Sequence, residues 1–243
     1  MGSNTAVHFL RCDLTNLGSV AAAADTILSE QSRLDVLMAN AGIMNHPPKL
    51  TEDGYELQFG VNYLSHALFI KKLMPLLERT AAQPGSDVRI IMLTSSAFRS
   101  GGIAFDELRT VQDNFKLLGG VFRYGQSKLA DLLIAKELAR RYASITSVSV
   151  TPGIVETDLA LSQKGLASVL TCLSAKLTQG GYIKLEQGAY SQLWCVGAPK
   201  DDIQSGAFYE PVGVLSKMST KYSKDENLAK KLWDWTQTEL ERW

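Results

Sequence analysis

Tyr124 and Lys128 stand four residues apart in Tyr124-Gly125-Gln126-Ser127-Lys128, at the head of an apolar-periodic run through Leu129, Leu132, Leu133, Ile134 and Leu138. That spacing predicts a buried amphipathic helix reaching to about residue 142. Residues four apart on a helix share a face, so a phenol sits beside an ammonium. A tyrosine with a reference pKa of about 10 is a weak acid or base near neutrality. A fixed positive charge nearby favours the phenolate. The pair is therefore suited to exchanging a proton with a substrate oxygen. Taken alone, Y-x-x-x-K is short enough to arise as two helix residues with no shared role.

The rest of the chain supplies elements that could place partners around this pair. Short apolar runs at residues 7–12, 34–39, 88–94 and 145–150, and a shorter one at 207–209, read as strands. Helical patterns cover about 19–30, 51–79, 124–142 and 186–196, and a tail helix about 225–240 carries Trp233 and Trp235. Buried strands alternating with helices predict an α/β chain with a parallel sheet covered on both faces. No internal repeat interrupts it, so residues 1–243 read as one domain. In open parallel sheets ligands bind beyond the carboxyl ends of the strands. The polar punctuation falls there: Asp13, Asn40-Ala41-Gly42, Ser95-Ser96 and Pro152-Gly153.

Composition narrows the class. The 243 residues carry 25 basic and 25 acidic side chains, so no global field attracts nucleic acid or an anionic membrane. Three cysteines without C-x-x-C spacing fit a reducing compartment better than a disulfide framework. No secretory pattern opens the sequence and no window of eighteen apolar residues occurs, which gives a cytoplasmic, soluble reading with no membrane span. The three histidines are scattered without ligand spacing, so no metal site is expected.

Taken in order, the motifs resemble those of the short-chain dehydrogenase/reductase family. They are Asp13-Leu14 after a strand, Asn40-Ala41-Gly42, Asn62 in a long helix, Ser96 after a strand, Tyr124-x-x-x-Lys128, and Pro152-Gly153-x-Val155-x-Thr157. The ending from Gly206 to Pro211, followed by the Trp-bearing helix, is similar to fungal, retinol-dehydrogenase-like members. The resemblance implies a Rossmann-like doubly wound sheet and an NAD(P)-dependent oxidoreductase that interconverts a carbonyl and an alcohol on an apolar small molecule. NADP is slightly preferred over NAD as cofactor, and a homodimer is implied, formed through the helices that carry Asn62 and Tyr124. Tyr124 would be the general acid or base, and Lys128 would hold the nicotinamide ribose. Ser96 would stabilise charge on the carbonyl oxygen. Asn62 would hold a relay water through its backbone carbonyl. Among cofactor contacts, Asp13 would meet the adenine and Thr157 the nicotinamide amide. Asn40, Ala41, Gly42, Pro152, Gly153 and Val155 would border the cofactor.

Two departures from the family pattern shape the expectations. Residues 105–122 form an insertion between Ser96 and Tyr124, expected beside the substrate mouth. The family's opening strand, T-G-x-x-x-G-x-G turn and helix, and the strand and helix after them, find no match in these residues. Members order their strands 3-2-1-4-5-6-7, so residues 7–12 and 34–39 lack the two strands that would separate them. Direct pairing of those two segments in a five- to six-stranded sheet is the expectation. The variable segment 157–181 reads as a substrate lid. The alternative functional reading is a truncated relative that binds no dinucleotide, serving as a binding or interaction module or as a non-redox isomerase or lyase.

Overall fold

The computed structural model describes residues 6–114, 118–157, 175–176 and 181–243. Its frame is one five-stranded sheet in the order β1 (Val36–Ala39), β2 (Arg89–Leu93), β3 (Thr146–Val150), β4 (Phe208–Glu210) and β5 (Val214–Leu215). The first four strands run parallel, with Val36 opposite Arg89, Ile90 opposite Ser147 and Val150 opposite Tyr209. β5 returns antiparallel to β4 across Gly213, whose φ of +73° suits a residue without Cβ. β2 is buried along its whole length, as a central strand covered on both faces must be.

Helices α1 (Leu17–Glu30), α3 (Ser65–Ala81) and α4 (Gly119–Arg141) pack on one face. Asn16 starts α1 by accepting the Ser19 N–H at 2.9 Å, and the small residues Ala21 and Ala24 let that helix lie close against α3. The opposite face carries α5 (Tyr190–Gly197), which closes a smaller core of Ile91, Val148, Cys195 and Tyr209. The tail helix α6 (Glu226–Glu239) crosses α4 and lies in the groove between α3 and α4.

The expected helix at 51–79 starts later than its pattern. Gly54 turns the chain at φ +81°, Leu50 bridges Glu56, and Glu56 caps a short helix α2 (Leu57–Phe59) by accepting the Phe59 N–H. A π-turn at Gly60–Leu64 joins α2 to α3, and Asn62 sits in that turn. The widened turn is a local break of the kind found at functional sites.

Residues 7–12 correct the pairing expectation. They form no strand, and Val7 and Phe9 are each 92% exposed. The physical reason is spacing. In the family's strand order two strands lie between this segment and β1, a separation of roughly 14 Å at about 4.8 Å per strand spacing. Asp13, whose N–H reaches Ser19 Oγ, ties the segment to the start of α1 and away from β1. β1 is therefore an edge of this sheet.

Two apart on one helix, Trp233 and Trp235 point to different faces, and both are packed. Trp235 packs on Tyr55, Phe59 and Phe105, while Trp233 packs on Tyr142 and under the Arg141 guanidinium. One helix face could not bury both, but α6 has neighbours on two sides. Between them Thr236 meets the Tyr63 hydroxyl at 2.6 Å. The groove between α3 and α4 is thus filled by the chain's own tail. No helix of the described residues is long and apolar enough to cross a membrane.

Candidate active site

The carboxyl ends of β1, β2 and β3 meet at one cavity of about 630 Å³. β1 delivers Asn40 and Gly42, β2 delivers Thr94, Ser95 and Ser96, and β3 delivers Pro152, Gly153, Val155 and Thr157. Tyr124 and Lys128 enter from α4, which crosses beneath. Nine of the residues singled out from sequence therefore meet in one place.

Ser96 opens a 3-10 turn, Ser96–Ser100, directly after β2; Ser95 caps it by accepting the Ala97 N–H. That turn lies against α4 at Gly125, the residue after Tyr124. A Cβ at Gly125 would come 1.8 Å from Ser100 Oγ and 2.5 Å from the Ala97 carbonyl oxygen. The missing side chain is what lets the serine turn and the tyrosine helix approach. Gly125→Ala is expected to cost about 1–3 kcal/mol of stability through overpacking. It should also slow any turnover by about 10²-fold, because a displacement of about 1 Å is enough for that. Urea denaturation and kcat of the variant check this; a variant matching the parent in both would contradict it.

Lys128 is buried, and its ammonium donates to the Leu93 carbonyl at 2.8 Å and to Asp131 Oδ2 at 2.9 Å. Its Nζ lies 5.7 Å from the centre of the Tyr124 ring. Burial works against the ammonium, but the Asp131 carboxylate holds its pKa above the usual lysine value. Burial pushes Asp131 up to about 6, with Lys128 pulling back. At neutral pH the two form an ion pair. His66 lies behind them and donates Nε2–H to the Ala41 carbonyl, because a carbonyl can only accept. Burial holds this imidazole down to about 4, so it is neutral and adds no charge.

Asn62 does not line the cavity. Its side chain accepts the Ile43 N–H at 2.7 Å and donates to the Ile43 carbonyl and to Ser127 Oγ, each at 2.9 Å. It pins the loop after β1 onto α4, a task the sequence did not reveal. Ala41 stays outside the lining, held through His66. Asp13 also stays outside: it is exposed, and hydrogen bonds from Thr15 hold its carboxyl below the usual range.

The remaining lining is mostly apolar: Met44, Leu93, Val121, Ile154 and Leu185. Of the insertion's described residues, only Val121 reaches the cavity. Its body turns away, with Leu108 fully buried and Phe105 against Trp235. Sequence reasoning missed Met44, from the loop after β1, Leu185, from a 3-10 turn, and Gln192, from α5 within the expected helix at 186–196. It also missed Asp131, whose signal was present in its place three residues after Lys128. The lid expectation at 157–181 falls mostly outside the described residues, as does Cys172; Cys12 and Cys195 are free thiols. Among the described residues no His, Cys, Asp and Glu cluster could hold a metal.

A nicotinamide cofactor can be tested against these residues. The nicotinamide end fits: an ammonium, a phenol and the Thr157 hydroxyl border a largely apolar cavity beside the small residues Gly42 and Gly153. For the pyrophosphate end, no glycine-rich turn joins a strand to a helix among the described residues.

Comparisons with known proteins give the relatives. Residues 1–105 match a family model described as enoyl-(acyl carrier protein) reductase. The chain is 34% identical over 252 residues to the short-chain dehydrogenase/reductase drtF of Aspergillus calidoustus, covering 97% of this chain and 77% of that protein. It is 39% identical to an uncharacterized oxidoreductase of Schizosaccharomyces pombe, covering 87% of this chain and 64% of that one. Human retinol dehydrogenase 14 is 36% identical, with 91% and 63% covered. The chain thus spans less than two thirds of the length of the last two. Among solved structures, an uncharacterized protein from Mycobacterium paratuberculosis superposes with TM-score 0.69 at 26% identity, covering 95% of this chain and 74% of that one. NADPH-bound carbonyl reductase from chicken fatty liver shares the fold, with TM-score 0.58 at 22% identity and 85% and 75% covered.

Proposed function

Because the chain belongs to the short-chain dehydrogenase/reductase family, we propose that it is an NAD(P)-dependent oxidoreductase interconverting a carbonyl and an alcohol on an apolar small molecule. The observation that carries this is the convergence of Ser96, Tyr124 and Lys128 on one cavity at the carboxyl ends of the strands. A bound nicotinamide would supply the hydride, held by Lys128 and Thr157 and bordered by Asn40, Gly42, Pro152, Gly153 and Val155.

The chain's own residues handle the oxygen. Ser96 donates a hydrogen bond to the carbonyl oxygen and steadies the charge that develops there. Tyr124 gives its phenolic proton to that oxygen in reduction and takes it back in oxidation. Lys128 lends positive charge to the phenol from the next helical turn. Met44, Val121, Ile154 and Leu185 exclude water from the substrate body, which favours an apolar substrate. Asn62 holds the cavity's rim by its grip on Ile43; its backbone carbonyl, in the π-turn, would serve a relay water.

A second reading, a pocket that binds without dinucleotide or works as an isomerase or lyase, draws support from Lys128. Two of its three ammonium donors are spent on Leu93 and Asp131, an arrangement that requires no dinucleotide. Titration with NADPH and NADH, followed by nicotinamide fluorescence, separates the two readings. Saturable binding of either supports the oxidoreductase; no binding at millimolar cofactor overturns it for this chain.

A further inference from the structure

Asp131 is 1% exposed, carries a carboxylate on the inner side of α4, and has no place in the proton transfer described above. One oxygen, Oδ2, accepts from Lys128; the other, Oδ1, is buried with no hydrogen-bond partner among the described residues. A carboxylate left half-satisfied in a dry interior is costly, so its neighbour must account for it.

The groups facing the pair come from every element around it. Tyr124 lies one turn back on the same helix, with its ring 5.7 Å from the ammonium. His66 of α3 is committed as a donor to Ala41, and Tyr63 of the π-turn to Thr236. β2 offers the Leu93 carbonyl. None of these carries a countercharge at neutral pH. Asp131 alone among them cancels the charge of Lys128.

We propose that Asp131 is a positioning residue that anchors the Lys128 ammonium by a buried ion pair and sets how much positive charge Tyr124 feels. This rests on the oxidoreductase reading for its kinetic consequence, though not for the ion pair itself. A lysine ammonium has three donors. Two are committed, to Leu93 and Asp131, which fixes the amine's direction and leaves one for a ligand hydroxyl. Asp131 also makes the local charge sum to zero, so it tempers the help that Lys128 gives to the phenolate. The inference adds a third member to the Tyr124 and Lys128 pair, on the helix turn beyond Lys128.

Asp131→Asn keeps the shape and removes the charge; Asp131→Glu keeps the charge and changes the shape. In alcohol oxidation the account expects the acidic limb of the kcat/KM profile to move to lower pH by about one unit in Asp131→Asn. The limb should return toward the parent in Asp131→Glu. A limb unmoved in a folded Asp131→Asn protein, or one that follows shape rather than charge, overturns the proposal.

A second measurement needs no turnover. In the ligand-free chain, carboxyl ¹³C and lysine ¹⁵Nζ spectra, assigned with the same variants, should show both resonances shifting together with a midpoint near pH 6. A Lys128 resonance that ignores the carboxyl titration, or a carboxyl midpoint that does not rise when Lys128 is replaced by methionine, overturns the pairing. If the resonances move together but no alcohol is turned over with either cofactor, the pairing stands and the oxidoreductase reading fails.

Discussion

Replacing Tyr124 by phenylalanine is expected to lower turnover by about 10²- to 10⁴-fold, the usual contribution of a positioned acid or base. The reason lies in what the substitution leaves alone. Tyr124 is 8% exposed and its ring packs in the cavity wall, so phenylalanine keeps the shape and removes only the hydroxyl. Ser96 and Lys128 stay in place, because the serine turn leans on Gly125 and the ammonium hangs on Leu93 and Asp131. Cofactor affinity should stay within about twofold, since binding common to ground and transition states is retained. Steady-state kinetics beside a fluorescence titration checks both halves. A variant that still turns over at a tenth of the parent rate would remove Tyr124 from its role.

The second large effect concerns stability. Arg123 and Glu56 are both buried, with Arg123 Nε 3.3 Å from Glu56 Oε1. That contact is misaligned for a hydrogen bond, so its attraction is coulombic. The guanidinium spends its other donors on the Gln112 carbonyl at 2.9 Å and the His46 carbonyl at 2.8 Å. One side chain therefore ties α4 to the insertion, to the loop after β1 and to the cap of α2. Arg123→Met strands the Glu56 carboxylate in the interior, where burial already pushes its pKa up. Breaking such a pair costs about 3–5 kcal/mol. Urea denaturation measures it, and adding Glu56→Gln to Arg123→Met should return part of the loss. A loss of under about 1 kcal/mol in the single variant would mean that water reaches the pair.

How far the sequence reads through to this structure depends on the range of the forces involved. The strands that became β1 to β4 and the Tyr124 helix were legible because buried parallel strands are continuous apolar runs and α4 keeps a helical period. Seven of the nine cavity residues were legible because strand ends are where a parallel sheet exposes its turns, and Tyr124 and Lys128 by their helix spacing. Residues 7–12 have the composition of a strand, yet a strand needs a neighbour at hydrogen-bonding distance, and composition does not carry that. Trp233 and Trp235 point to different faces of one helix, and both are packed because α6 lies between two partners, which no local pattern shows. Asn62 drew notice through its motif. What its side chain does, holding Ile43 from 19 positions away, is a long-range contact that no local pattern encodes.

The filled groove between α3 and α4 bears on assembly. A homodimer built on those helices would have to displace Trp233, Thr236 and the Lys71 contact with the Leu240 carbonyl.

The central claim is that the cavity around Ser96, Tyr124 and Lys128 performs nicotinamide-dependent carbonyl chemistry. The most direct measurement incubates the purified chain with decanal, an apolar aldehyde, and NADPH or NADH carrying deuterium at C4 of the nicotinamide. The alcohol is then analysed by mass spectrometry. The account predicts one deuterium on the carbinol carbon, transferred from one face of the ring only, and its loss in Tyr124→Phe. Decanal recovered unchanged with both cofactors, at protein and cofactor concentrations where the titration shows saturation, would contradict it.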